Sequence, residues 1–312
     1  MALRQLPYFR PTLTPLLRRS AAPLSSNRKT LRISSPVSAS LMTSAASRKV
    51  LVPIADGTEP MEAVYIIDVL RRAGADVTAA SVENRLRVDA CHGVKIVADA
   101  LVAESTSTVF DLIALPGGMP GATSLRDSNE LQLLVKKQAE EGRFYAAVCA
   151  SPAVALGSWG LLKGLKATCY PSFMEQLASS GVSTVESRVH KEGNVITSRG
   201  PGTTMEFAVA LVEQLCGKEK AEEVAGPLVM RPNPGEEYTI AEFNSMEWTF
   251  DTTPKILVPI ANNTEEMEAV TIIDVLRRAK ANKCRVTDRS PLSQSIQNYK
   301  QDISTRPAGE LT

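Results

Sequence analysis

The chain has 312 residues, 44% of them hydrophobic and 22% charged, and its 35 basic side chains balance 34 acidic ones to a formal net charge of +1. That composition is ordinary for a globular protein and long enough for about two domains, which sets aside collagenous, disulfide-scaffold and disordered classes. Near-neutrality removes the electrostatic footprint of a nucleic-acid or anionic-membrane binder, and no apolar run reaches the roughly 18 residues that a bilayer-spanning helix needs.

Residues 1–47 carry Arg4, Arg10, Arg18, Arg19, Arg28, Lys29 and Arg32, no acidic side chain, and many serines and prolines. This is transit-peptide composition, without the continuous apolar core of a secretory signal. A chloroplast destination is expected, with the mitochondrion as the alternative. From Lys49 the texture changes. KVLVPI (49–54) reads as a buried strand, and residues 60–73 as a helix with Met61, Val64, Ile67 and Arg71 at helical spacing. ADVTAAS supplies a second strand, residues 85–97 a hairpin, and FDLIALP (110–116) a strand that ends in the turn Gly117-Gly118. A helix over 129–141 closes at Gly142. RFYAAVC (143–149) is a strand that stops at Cys149, and NVITS with TTMEFAVALVEQLC adds a late strand and a long helix. Alternation of this kind predicts an α/β fold, a parallel sheet with helices on both faces.

An internal repeat follows. Residues 49–73 recur as residues 255–279, identical at 20 of 25 positions, a spacing that suits a duplicated domain and not a solenoid. The second copy loses recognisable similarity after Ala281, before any Gly-Gly turn or cysteine strand, and the residues beyond are polar. The expected organisation is therefore a targeting segment (1–47), one complete domain (48–230), a linker (231–253), a shortened second copy (254–283) and a tail (284–312). One strand and one helix cannot bury a core alone. Residues 255–312 are accordingly expected to be dispensable, leaving the first domain's partner surface free for homodimerisation.

Open parallel sheets bind ligands beyond the carboxyl ends of their strands. Cys149 lies at such an end, followed by Ala150, Ser151 and Pro152, small residues that permit a sharp turn into a helix whose N-terminus favours thiolate. A buried structural cysteine is the plainer alternative. The other cysteines, Cys91, Cys169, Cys216 and Cys284, are widely spaced and lack CxxC pairing, and two histidines, His92 and His190, are too few for a histidine-built metal site. Glu59 and Glu62 share one face at the start of the first helix, where either is suited to complement the helix dipole or to serve as a proton shuttle. The Gly117-Gly118 turn offers backbone N–H groups that, with that of Ala150, suit a developing oxyanion.

Taken in order, LVPIADGTEPMEAV, RRAGADVTAAS, FDLIALPGGMPGA, AAVCASP and SRGPGT resemble the parkinsonism-associated deglycase branch of the ThiJ/PfpI superfamily over roughly residues 49–230, and the repeat resembles its tandem plant members. The resemblance implies a flavodoxin-like, doubly wound sandwich with Cys149 in a nucleophile elbow and Glu62 as its carboxylic partner. It implies an oxyanion pocket of Gly117, Gly118 and Ala150, and Arg72 and Arg199 near the site or a dimer interface. Tyr170 stands where glyoxalase-active members often carry histidine, and Ala150 replaces the histidine of the protease-like branch. The implied activity is cofactor-independent conversion of a small reactive carbonyl, methylglyoxal or glyoxal, to a 2-hydroxy acid. The alternative is a redox sensor or oxidant-responsive chaperone acting through Cys149. A homodimer without nucleic-acid or membrane partners is expected.

Overall fold

In the computed structural model, residues 47–230, 255–280 and 285–288 are described. The targeting segment but for its last residue, the linker 231–253 and most of the expected tail lie outside them.

In chain order the elements are β1 (Lys49–Ile54), α1 (Pro60–Arg72), β2 (Asp76–Ser81), a small hairpin of β3 (Arg87–Asp89) and β4 (Lys95–Val97), β5 (Ala100–Leu101), β6 (Leu112–Leu115), α2 (Gly121–Asp127), α3 (Asn129–Glu140) and β7 (Phe144–Val148). There follow β8 (Lys166–Ala167), α4 (Met174–Ser179), β9 (Ser183–Thr184), β10 (Val189–Glu192), β11 (Val195–Ser198), α5 (Thr204–Cys216) and α6 (Lys218–Ala225). The repeat supplies β12 (Leu257–Ile260), α7 (Glu266–Arg278) and β13 (Arg285–Asp288). Seven strands form one sheet in the order β10-β11-β7-β6-β1-β2-β5, parallel throughout except where β10 pairs antiparallel to β11. The expected α/β sandwich is the observed one.

The apolar runs bury both faces of the sheet, as central parallel strands require. On one face Val50, Val52, Leu112, Ala114 and Ala146 pack with Ile66, Leu70, Phe207 and Leu211 of α1 and α5. On the other, Leu51, Ile113, Leu115 and Ala147 pack with Leu131, Val135, Leu156 and Leu162. The strand period of two sends alternate residues to opposite layers. Adjacent strands β1, β6, β7 and β11 run in one direction, so their carboxyl ends gather at one rim of the sheet.

The second copy does not stand apart. Helix α7 packs against α1, and Met267 joins the buried cluster of the first domain's α1 and α5 face. Three polar contacts span the two helices. Tyr65 Oη lies 2.7 Å from Thr271 Oγ1, an offset of 206 residues. Arg72 Nη2 donates to Glu265 Oε1 at 2.7 Å, and Arg278 Nη2 donates to Glu59 Oε1 at 2.7 Å. Thr271, Glu265 and Arg278 are the repeat counterparts of Tyr65, Glu59 and Arg72. The contacts are thus reciprocal, as across a two-fold axis. Two expectations are corrected. The outer face of α1 is not free, because a near-identical helix already covers it. The copy also gains a second strand, since Arg285–Asp288 pairs in parallel with Leu257–Ile260 inside the segment expected to be a tail. A consequence is measurable: Met267→Ala is expected to destabilise the whole domain by about 2–3 kcal/mol in urea denaturation, the cost of truncating a buried methionine. A dispensable copy predicts no change.

Candidate active site

Cys149 follows β7 directly and sits at φ +65°, a left-handed backbone that few non-glycine residues adopt. Hydrogen bonds hold it there. Its N–H donates to Ser198 O at 3.1 Å, and its C=O accepts from Tyr170 N at 2.7 Å. Ser151 Oγ donates to Pro116 O at 2.6 Å, tying the far side of the elbow to the end of β6. The chain then enters a wide π-type helical turn, Pro152–Gly157, rather than a regular α-helix. The thiol is buried, and the N–H groups of Gly118 and Ala150 lie near enough to favour its anion.

Glu62 is carried by the first turn of α1 and is fully buried beside Cys149. Its Oε2 accepts from Gly117 N at 2.7 Å. Its Oε1 has no hydrogen-bond partner at ordinary distance, which leaves the Cys149 thiol as the group it can reach. Glycine is required opposite. A Cβ on Gly117 would fall 2.6 Å from Cys149 Cβ and 2.9 Å from Glu62 Oε2, and one on Gly118 would fall 2.3 Å from Glu59 N. Glu59 is the N-cap, its Oε2 accepting from Glu62 N at 2.8 Å. One glutamate therefore positions the helix and the other faces the thiol, which resolves the ambiguity the spacing leaves.

Burial, then the nearby Glu59 charge, pushes the Glu62 carboxyl from 4.5 up to about 8, against the hydrogen bond from Gly117. The expected dipole-stabilised thiolate meets an opposing force: burial first, and the Glu62 charge second, push the Cys149 thiol upward, with the Gly118 and Ala150 N–H groups opposing. The two groups titrate as one unit. After the first proton leaves, the carboxyl and the thiol share the one that remains, and the form with thiolate beside carboxylic acid is the one that carries a nucleophile.

The linkage to stability has a definite sign. Folded Glu62 holds its proton more tightly than the unfolded chain does, so its burial costs nothing below pH 4.5 and progressively more up to about pH 8. Glu62→Gln, neutral throughout, is expected to melt roughly 2–6 °C above the parent at pH 8 and to converge on it near pH 4. A constant difference in melting temperature across that range would show that Glu62 is not titrating in the fold.

The remaining expected residues separate into two places. Tyr170 and Arg199 line a side cleft of about 330 Å³ with Arg188 and the loop Gly200–Thr203. The Tyr170 ring lies against Gly200, and its hydroxyl makes no hydrogen bond among the described residues. Arg199 Nη1 donates to Glu186 O at 3.2 Å. Arg72 is not brought to the thiol. Asp68, one helical turn back, holds its guanidinium, which reaches Glu265 of the second copy. Both histidines sit beside other carboxylates, His92 3.8 Å from Asp274 and His190 3.4 Å from Glu192. One participant escapes sequence reasoning: Arg278, which reaches Glu59 at the head of α1. Its signal was the repeat itself, since Arg278 is the counterpart of Arg72.

Comparison with known proteins identifies relatives of this chain. A family model described as the DJ-1/PfpI family matches residues 48–214. Protein DJ-1 homolog B of Arabidopsis thaliana is 62% identical over 256 residues, covering 82% of this chain and 57% of that protein. Protein DJ-1 homolog A of the same plant is 59% identical, with 76% and 60% covered, so the chain spans less than two thirds of either relative. The glutathione-independent glyoxalase DJR-1.2 of Caenorhabditis elegans is 33% identical over 189 residues, 61% of this chain and 99% of that protein. Among solved structures, oxidised Toxoplasma gondii DJ-1 superposes with a TM-score of 0.57 at 46% identity, covering 59% of this chain and 98% of its own. With the family model matching more than half of its length and the elbow, acid and glycine turn all in place, the chain belongs to the DJ-1/PfpI family.

Proposed function

We propose that this chain is a glutathione-independent glyoxalase, or a deglycase working by the same chemistry, that converts methylglyoxal or glyoxal to a 2-hydroxy acid. The observation that carries the reading is the elbow at φ +65° that sets Cys149 against the Gly117-Gly118 turn, with the buried Glu62 carboxyl beside it. The nematode relative named a glyoxalase supports it.

In this reading the Cys149 thiolate adds to the aldehyde carbon, and the two amides hold the oxygen while Glu62 gives it a proton. Glu62, now a carboxylate, removes the C–H proton of that carbon and returns it to the neighbouring carbon through an enediol, while the hydroxyl proton of the first carbon passes to the oxygen of the second. The product is a thioester of the 2-hydroxy acid, which water hydrolyses to release the acid and the thiol. No redox partner is consumed, because one carbon is oxidised as its neighbour is reduced. A nucleophile, two N–H donors and one acid that returns its proton supply every step. Incubating the full chain with methylglyoxal, without glutathione, and measuring lactate tests the reading; no lactate above the uncatalysed rate overturns it.

A second reading draws on the oxidised state of the Toxoplasma structure. Here Cys149 is oxidised to sulfinate and a protonated Glu62 donates a hydrogen bond to it. Mild peroxide followed by mass spectrometry should modify Cys149 ahead of Cys91, Cys169 and Cys216, and uniform oxidation would exclude it. Burial pushes the Cys169 thiol upward as it does that of Cys149, but among the described residues no carboxyl or backbone N–H acts on it, so that sulfur is the buried comparison.

A further inference from the structure

Glu62 does not face its thiol alone. One turn earlier, Glu59 holds the Glu62 N–H on Oε2 and receives Arg278 on Oε1, 2.7 Å away. Arg278 is itself fixed by Asp274, a fully buried residue of the same helix α7 whose Oδ1 has no hydrogen-bond partner, with His92 3.8 Å from it. On the first domain's side, Cys91 Sγ donates to Gly57 O at 3.0 Å, close enough for its titration to feel the charges of Glu59, Arg278 and Asp274. The groups facing Glu59 are thus Arg278 and Asp274 from α7, Glu62 from its own helix, and Cys91 from the neighbouring turn. Those facing Glu62 are Cys149 and Glu59. A continuous line of contacts runs from the second copy to the reactive sulfur.

We propose that Arg278 is a positioning residue for the Cys149–Glu62 pair: by keeping Glu59 ionised while Glu59 caps the helix at Glu62, it fixes the local charge and so the pH at which the pair becomes nucleophilic. Burial works against that ionised state, pushing Glu59 from 4.5 up to about 7, and Arg278 opposes the push. Its charge also favours the ionised pair at longer range, while the Glu59 charge opposes it. Removing the cation therefore lets Glu59 hold its proton to higher pH, and the neighbouring charge that raises Glu62, the larger of the two influences on it, is lost. Removing Glu59's charge by substitution has the same effect on Glu62. The second copy in this arrangement is a part of the active centre, contributing one guanidinium at the far end of the helix cap.

The inference rests on Cys149 and Glu62 being the reactive pair, not on which carbonyl they attack. It is therefore tested by alkylation of Cys149 with iodoacetamide, followed across pH by mass spectrometry on the full chain; loss of lactate formation would remove the proposed activity and leave this test standing. Arg278→Gln is expected to move the acid limb of the alkylation rate down by about half a pH unit or more. Glu59→Gln is expected to move it in the same direction. In the Glu59→Gln background, Arg278→Gln should lose most of its effect, and Arg278→Lys should restore most of the parent profile. A role limited to docking α7 would lower thermal stability in Arg278→Gln and leave the limb in place, which overturns the proposal. An Arg278→Lys shift as large as that of Arg278→Gln, or an undiminished effect without the Glu59 charge, overturns it too.

Discussion

Cys149→Ser is expected to reduce lactate formation from methylglyoxal at least about a thousandfold while leaving the fold intact. The argument is one of acidity and space. Serine is smaller and suits the same elbow, so its backbone hydrogen bonds to Ser198 and Tyr170 are retained. An alcohol, however, is a far weaker acid than a thiol, and the only carboxyl beside it is raised to about 8 and cannot generate an alkoxide. Two amides alone do not close that gap. Melting temperature and lactate rate measured on one preparation decide the matter: a serine variant that keeps turnover would take Cys149 out of the mechanism.

Glu62→Gln is expected to lower the same rate at least about a hundredfold, the scale of a lost general acid and base. Glutamine keeps the volume and can still accept from Gly117 N, but it cannot give a proton to the oxyanion and take one from carbon. Glu59→Gln should fall by less than about tenfold, because Glu59 touches the helix cap and Arg278 and not the sulfur. The two variants also diverge in stability at pH 8, where Glu62→Gln relieves a buried carboxylate and Glu59→Gln also removes the charge that caps the helix and holds Arg278. If Glu59→Gln proved the inactive variant, the assignment of roles along α1 would be reversed.

Much of this was legible in residue order, for local reasons. KVLVPI, FDLIALP and RFYAAVC are short apolar runs bounded by turn residues, so the strands of the sheet centre and the position of Cys149 at a strand end follow from them. The two glycines at 117 and 118 signalled a turn, though only packing shows that a Cβ at either would strike Cys149 or the α1 cap. Arg278 was hidden because it lies 219 residues from Glu59, and nothing local relates them. Burial hid the direction of the thiol's acidity. The helix-end argument weighs one favourable dipole, whereas the folded chain encloses the sulfur with an acid. Strand β13 was hidden by its composition, RVTD, which pairs with β12 without being an apolar run.

The contact between Tyr65 and Thr271 has a consequence for how the two halves can diverge. When two identical helices meet across an axis, the residue on that axis faces its own image, and any substitution must be compatible with itself. At the corresponding position here, tyrosine meets threonine, a large ring against a small hydroxyl, joined by one hydrogen bond that two tyrosines could not make in the same space. Duplication within one chain has therefore released this position from self-compatibility. Each half is free to specialise for the other, one keeping the sulfur and its acid, the other supplying shape and charge at the seam.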